Sequence, residues 1–230
     1  MQLFYASEIK LEGNNLDKTD SGHCVKVLRK SAGNTIHIVD GKGTLYEAEI
    51  MNGNPNKCSY KIVGKTEAYQ KSEKYLHLAI APTKNINRFE WFMEKATEIG
   101  INEITPIVTY HSERKKINEE RLNKILISAM KQSLKAYLPK LNPLVKWKQF
   151  LKDQAERNYD FKGIACMTEK SRHFTETNKG QNALVLIGPE GGFSEQEIAE
   201  ATASDCISVT LGASRLRTET AGIVACTLFH

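Results

Sequence analysis

Two neighbouring stretches late in the chain limit its fold more than any other feature. Residues 183–187 are five consecutive apolar side chains, ALVLI, that run directly into Gly188-Pro189-Glu190-Gly191-Gly192. An unbroken apolar run of that length, stopped by glycines, suits a strand buried on both faces. Ser194 then stands three residues before Glu197, the spacing at which each side chain satisfies a free backbone N–H of the other at a helix start. The glycines therefore belong to a strand-to-helix loop. Residues 207–223 repeat the plan, with 207–211 as strand, 212–217 as loop and a helix from about Thr218. In open α/β sheets ligands bind where strands hand over to helices, and glycine lets backbone amides approach them with no Cβ in the way. The two loops should share one pocket. Residues 163–167 read as a further buried strand, whose end at Met167-Thr168-Glu169 would form a third edge.

Neither loop carries a usual nucleotide fingerprint: there is no early G-x-G-x-x-G and no Gly-Lys-Ser/Thr. On local chemistry alone, a Gly-Pro and Gly-Gly loop is as readily an ordinary turn. The surrounding pattern supplies the context. Residues 76–81 and 103–108 read as strands and 89–99 as an amphipathic helix with Phe89, Phe92, Met93, Ala96 and Ile99 inward, capped by Asn87 with Glu90 reaching back. Strand and helix alternate, which argues for a parallel sheet covered by helices. Helices are also expected over 118–138 and 145–158, the first with Arg121, Lys124, Lys131 and Lys135 recurring along one face. Before about residue 70 the chain is β-rich, with strands at 2–6, 35–40 and 44–50 and a hairpin turn at Asp40-Gly41-Lys42-Gly43. Helical spacing over 23–29 brings His23, Lys26 and Arg29 within reach of one another. A polar stretch at 68–74 reads as the linker between two domains, 1–70 and 71–230.

Charge points to a partner. The net charge of +5 is modest, but residues 113–152 hold eleven Lys or Arg against three Glu. Such a block is commonly a solvated face, and its size also suits a polyanion, in this case nucleic acid. No run approaches the roughly 18 apolar residues of a membrane span, and residues 1–20 lack a signal-peptide core, so a cytoplasmic location is expected. The five cysteines are odd in number and never at C-x-x-C spacing, which argues against both a disulfide framework and a metal site.

GPEGGFS at 188–194 followed by LGASRLRTETA at 211–221 resembles the C-terminal signature of the RsmE family, small-subunit ribosomal RNA methyltransferases of the SPOUT superfamily. Lys84, Arg88-Phe89-Glu90-Trp91, Lys95-Ala96-Thr97-Glu98-Ile99-Gly100, Pro106 and Gln132-Ser133 resemble the family's middle block, so the likeness covers nearly the whole chain. The resemblance implies a trefoil-knotted α/β methyltransferase domain with a parallel sheet, following a small PUA-like β-barrel that binds RNA. It implies S-adenosylmethionine in the shared pocket. Leu186, Ile187, Gly188, Pro189, Glu190, Gly191 and Gly192 would hold it from the first loop. Leu211, Gly212, Ser214, Leu216 and Thr220 would do so from the second, with Met167 at the third edge. RNA contacts fall to His23, Lys26 and Arg29 in the barrel and to Lys84, Arg88, Lys124, Lys131 and Lys135 beyond it. The implied reaction methylates N3 of a uridine in 16S RNA, within the small ribosomal subunit, with no metal.

Methyl transfer asks for alignment and water exclusion, not a covalent nucleophile on the enzyme. A uracil imide reacts poorly while protonated, so proton loss must be assisted and the developing charge stabilised. Arg217 and Glu219, both within the matched motif, are the candidate catalytic residues; Arg215 and Glu190 are the alternatives beside them. The helix from 219 to 229 is apolar nearly all round, so it is buried either within the fold or, as the resemblance implies, in a homodimer. Two other readings stay open: a non-catalytic RNA-binding ribosome-assembly factor, and a Rossmann-type nucleotide enzyme. Binding of S-adenosylmethionine would test the first, and binding of NAD or ATP would favour the second.

Overall fold

The computed structural model describes residues 1–10 and 13–230, which divide into two compact units. The first comprises Met1–Lys71 and Ile127–Leu138, and the second Ser72–Leu126 and Pro139–His230. Residues 127–138 thus return to the first unit, a crossing that the linear reading placed in the second domain.

In the first unit β1 (Leu3–Tyr5), β2 (Asn14–Asn15), β3 (Thr35–Val39), β4 (Leu45–Asn52) and β5 (Ser59–Thr66) form one sheet in the order β1-β3-β4-β5-β2. Among the described residues of this sheet only β1 and β3 pair in parallel. The hairpin between β3 and β4 is closed by Asp40, whose Oδ1 accepts the N–H groups of Lys42 (2.7 Å) and Thr44 (3.0 Å). Gly43, at φ +106°, is required there because a Cβ would collide with the Tyr137 ring. A short helix, α1 (Lys18–Gly22), continues as a π-helical turn over His23–Val27. Phe4, Ile36, Ile38, Ala48, Ile50 and Tyr60 make the core, together with the buried Cys24 and Cys58.

The second unit is built on parallel pairing throughout. Its strands are β6 (Tyr75–Ile80), β7 (Glu103–Val108), β8 (Lys140–Leu141), β9 (Val145–Lys146), β10 (Phe161–Ala165), β11 (Arg172–His173), β12 (Asn182–Ile187) and β13 (Ile207–Thr210). Their order is β11-β13-β10-β12-β6-β7-β8, with β9 also pairing with β7. The central β12 and β6 are buried along most of their length, which explains the unbroken apolar run of residues 183–187 and the largely apolar β6, where His77 is the exception. Around them lie α2 (Ile86–Ile99), the first half of α3 (Glu119–Gln132), α4 (Trp147–Gln154), α5 (Phe174–Thr177), α6 (Glu195–Ala203) and α7 (Thr218–Phe229). Gly222 of α7 lies so close to Phe92 of α2 that a Cβ would overlap the ring.

Three expected elements differ from those observed. The helix expected to reach residue 138 stops at Gln132, because Leu134 turns left-handed (φ +59°) and Ala136 is drawn into a cluster with Leu3, Val39, Leu45 and Met130. The cap of α2 is Asn85, whose Oδ1 accepts the Asn87 N–H at 3.1 Å, and Glu90 instead meets Arg121 at 2.6 Å. The helix expected over 145–158 opens as strand β9 and then forms α4, which buries Trp147 and Phe150. Among the described residues no helix is long and apolar enough to cross a membrane, and no cluster of His, Cys, Asp and Glu is placed to hold a metal.

Candidate cofactor pocket and nucleic-acid contacts

The strand-to-helix loops of β12 and β13 close on one cavity of about 270 Å³, with the 165–167 segment after β10 as its third wall. The capping box foreseen from Ser194 and Glu197 is formed and fixes the start of α6. Side chains lace the two loops together. Thr218 Oγ1 donates to the Gly188 carbonyl at 3.0 Å, and an Arg215 guanidinium N–H donates to the Glu190 carbonyl at 3.2 Å. Glu190 Oε1 in turn accepts the Lys84 N–H at 3.0 Å.

The glycines are there for specific reasons. A Cβ on Gly188 would sit 3.2 Å from the Gly192 carbonyl carbon, and one on Gly191 would sit 2.9 Å from His111 Cβ. Gly192 (φ +72°) and Gly212 (φ +144°) hold backbone conformations that L side chains resist. The result is a cradle of main-chain amides and carbonyls with Ile187, Val209, Leu216 and Ala221 as apolar walls. Such a cradle suits a nucleoside-sized ligand with a flat apolar ring and polar edges.

Most of the expected cofactor residues meet here: Met167, Ile187, Gly188, Pro189, Glu190, Gly191, Gly192, Leu211, Gly212, Ser214 and Leu216 all line the cavity. Leu186 and Thr220 do not. Leu186 is fully buried in the core cluster with Ala79, Ile107 and Trp147, because alternate residues of a strand face opposite sides. Ala165, Cys166, Val209, Thr210, Arg215, Thr218 and Ala221 also line the cavity. The strand-end members of that group could have been found by extending the rule that ligands sit beyond strand C-termini to β10 and β13.

Arg217 is the N-cap of α7, exposed, with no ion-pair partner among the described residues. Glu219, two residues on, is 7% exposed; its Oε1 lies 3.8 Å from Arg88 Nε and its Oε2 has no hydrogen-bond partner. An unpaired buried carboxylate oxygen is costly, and a native protein retains few of them.

The expected RNA contacts divide by what already holds them. In the first unit Lys26 and Arg29 are exposed, while His23 is partly buried edge-on to Phe4. Lys131 spends its charge on the buried Asp20, 3.0 Å away, and Lys135 lies beyond the helix end. In the second unit Lys84 is paired with Glu113 at 2.8 Å, Arg88 faces Glu219, and Lys124 is bonded to Glu120 one turn away.

Comparison with known proteins bears on this geometry. Residues 70–230 match the model of an RNA methyltransferase domain, and residues 16–63 that of an RNA methyltransferase PUA domain. The ribosomal RNA small subunit methyltransferase E of Mesomycoplasma hyopneumoniae is 35% identical over 179 residues, 76% of this chain and 75% of that protein. The chain belongs to this methyltransferase E family. The Bacillus subtilis member is 27% identical over 219 residues, 88% of this chain and 84% of that protein. Among solved structures, one described as a probable rRNA-methyltransferase from Porphyromonas gingivalis superposes with a TM-score of 0.91 at 38% identity, covering 99% of this chain and 96% of that one. The methyltransferase E of Neisseria gonorrhoeae, solved bound to S-adenosyl methionine, superposes with a TM-score of 0.82 at 25% identity, covering 99% and 95%. The family's architecture, a parallel-sheet α/β domain after a PUA-like one, is the architecture described above.

Proposed function

We propose that this protein methylates ring N3 of one uridine in small-subunit (16S) ribosomal RNA, using S-adenosylmethionine. The observation that carries the reading is the glycine cradle, two laced loops whose backbone is held open where a Cβ would intrude. Family membership supplies the ligand class and the substrate class. The backbone groups of the 188–192 and 211–212 segments hold the cofactor, and Met167, Ile187 and Leu216 enclose its apolar parts. When bound, the cofactor supplies a methyl group on a sulfonium, already activated toward attack by nitrogen.

The remaining work falls to this chain. It must hold the uracil in line and dry, and help N3 lose its proton before or as the N–C bond forms. Arg217, exposed and without an ion-pair partner among the described residues, is the group for stabilising the negative charge that develops on the base. Glu219, whose Oε2 lacks a donor, is the candidate proton acceptor. The active unit is a homodimer, because Ile223, Val224 and Leu228 leave part of α7 uncovered in the single chain. Ile223→Glu should then sediment as a monomer where the wild type sediments as a dimer.

The deciding experiment maps modified nucleotides by mass spectrometry in ribosomal RNA from cells lacking the gene, alongside calorimetry of the purified protein with S-adenosylmethionine. One N-methyluridine should vanish from the small-subunit RNA and return with the wild-type gene. A protein that binds RNA but not the cofactor is instead a non-catalytic assembly factor.

A further inference from the structure

Just past the C-terminal end of β7 the chain displays Tyr110, 78% exposed, more than any other large apolar or aromatic side chain among the described residues. Its ring stands edge-on to that of His111, with centroids 5.0 Å apart and planes at 79°. This pair is not a loose tip. The Tyr110 N–H donates to Glu197 Oε1 at 2.8 Å, and His111 Nδ1 lies 3.1 Å from the Gly192 carbonyl of the cofactor loop. Thr109 and Ser112 close the turn with bonds of 2.9 and 3.0 Å. Arg114 pins the other side by donating to the carbonyls of Thr83 (3.0 Å) and Lys84 (2.7 Å). The backbone is fixed while the rings face water, so little ordering entropy is lost when something settles on them.

Cations follow within the same loop. Lys115 and Lys116 are exposed and line one surface cleft with Lys84, Glu113 and Arg114. Lys84 is consumed by Glu113 and Arg114 by two carbonyls, but Lys115 and Lys116 have no carboxylate partner among the described residues. A rigid aromatic face followed by two uncommitted lysines, beside a cofactor pocket, has the chemistry of a single-stranded RNA platform. Rings stack on any unpaired base, and lysines meet its backbone. A duplex would hide the base face that Tyr110 can reach.

We propose that the 110–116 loop grips an unpaired nucleotide flanking the target base, its base on Tyr110 and His111 and its phosphates at Lys115 and Lys116. The inference rests on the RNA-methylating reading above and names the positioning residues of that site. Its test uses a single-stranded uridine-rich RNA oligonucleotide, the same strand annealed to its complement, and 16S RNA from cells lacking the gene. Tyr110→Ala should weaken single-strand binding about 10-fold, with Tyr110→Phe close to wild type, as stacking requires. Duplex binding should barely change. The double variant Lys115→Ala/Lys116→Ala should lower the salt slope of single-strand binding by about 1.4, two phosphate contacts. On 16S RNA, Tyr110→Ala should raise KM with kcat and cofactor affinity held. Unchanged RNA affinity in Tyr110→Ala, equal loss in Tyr110→Phe, or an altered sedimentation coefficient pointing to a subunit contact would each overturn the platform. Should the wild type methylate 16S RNA while these variants behave normally, the platform alone fails. Should the wild type bind no S-adenosylmethionine, the methylation reading fails, whatever the RNA titrations give.

Discussion

At the N-terminal end of the parallel sheet, Glu103 is completely buried and heavily bonded. Tyr75 donates its hydroxyl at 2.6 Å, Asn142 its amide at 2.6 Å, and Arg157 two N–H groups at 2.9 and 2.7 Å, while Lys140 approaches to 3.3 Å. His77 fills the space behind, its ring nitrogens 2.7 Å from Tyr159 Oη and 2.7 Å from Thr105 Oγ1. At the opposite end, past Ile80 and Ile187, the chain offers glycine backbone, an Arg217 with no ion-pair partner among the described residues and a Glu219 Oε2 with no hydrogen-bond partner among them. A buried charge persists only where partners compensate it, so at the first end the loss of any one partner should be costly. Glu219 Oε2 at the second end and Asn182 Oδ1 at the first both lack a hydrogen-bond partner among the described residues, so an unpaired atom does not by itself mark a ligand site; the open glycine cradle is what sets the second end apart.

Breaking the saturated end should have the largest effect. Glu103→Ala strands the Arg157 guanidinium and two further donors, and should cost about 4 kcal/mol in urea unfolding while the folded fraction keeps its cofactor affinity. Unchanged stability would mean that the cluster only decorates the sheet edge. Acid probes the same cluster. Burial chiefly lowers the His77 pKa, from 6.5 to about 4, so the folded ring stays neutral where the unfolded chain takes a proton. The stability it contributes is complete above pH 6.5 and drains as pH falls toward 4, by at most about 3 kcal/mol. For Glu103, burial alone would raise the pKa, but the Arg157 guanidinium, with His77, Tyr75 and Asn142, holds it well below the usual carboxylate range. Its contribution is therefore present above pH 4.5 and is lost in more acid solution. The unfolding midpoint should fall between pH 7 and pH 5, and His77→Gln should flatten that fall; parallel pH dependences would remove His77 as its source.

Local chemistry made the pocket end legible and left the other end opaque. The apolar run of residues 183–187, the glycines and the Ser194–Glu197 spacing each act over a few residues, so they could be read in order along the chain. The Glu103 cluster gathers residues 75, 77, 142 and 157, whose nearness is a product of the sheet order and of nothing in their neighbourhoods. The same limit explains Lys131. On the sequence it continues a basic stripe, yet Asp20 claims it from 111 positions away. The end of α3 was hidden too, since Leu134 turns left-handed without a glycine or proline to announce it.

Arg217 tests the open end, with an effect nearly as large but of another kind. Its side chain is exposed, so Arg217→Ala should leave stability within about 0.5 kcal/mol. Methyl transfer should fall roughly 100-fold if the guanidinium stabilises charge on the base as an oxyanion-hole donor does. Arg217→Lys separates bidentate recognition from simple charge, because a planar fork is not replaced by an ammonium. Loss of S-adenosylmethionine binding in a folded Arg217→Ala protein would move the residue to the cofactor side.

The smallest effect should come from Ser194, where the two kinds of polar group meet. Its Oγ accepts the Glu197 N–H at 3.3 Å, and Glu197 Oε2 accepts the Ser194 N–H at 2.9 Å, while Oε1 reaches the Tyr110 N–H at 2.8 Å. Removing the hydroxyl costs one cap and leaves the carboxylate bonded to both backbone donors. Ser194→Ala should therefore lose about 1 kcal/mol of stability with little change in RNA or cofactor affinity. Glu197→Ala removes the cap and frees the Tyr110 backbone together, so it should weaken RNA binding as well as stability. If Ser194→Ala instead abolishes S-adenosylmethionine binding in calorimetry while its unfolding midpoint holds, the start of α6 is part of the ligand site, and the division between a structural and a ligand-binding use of these loops fails there.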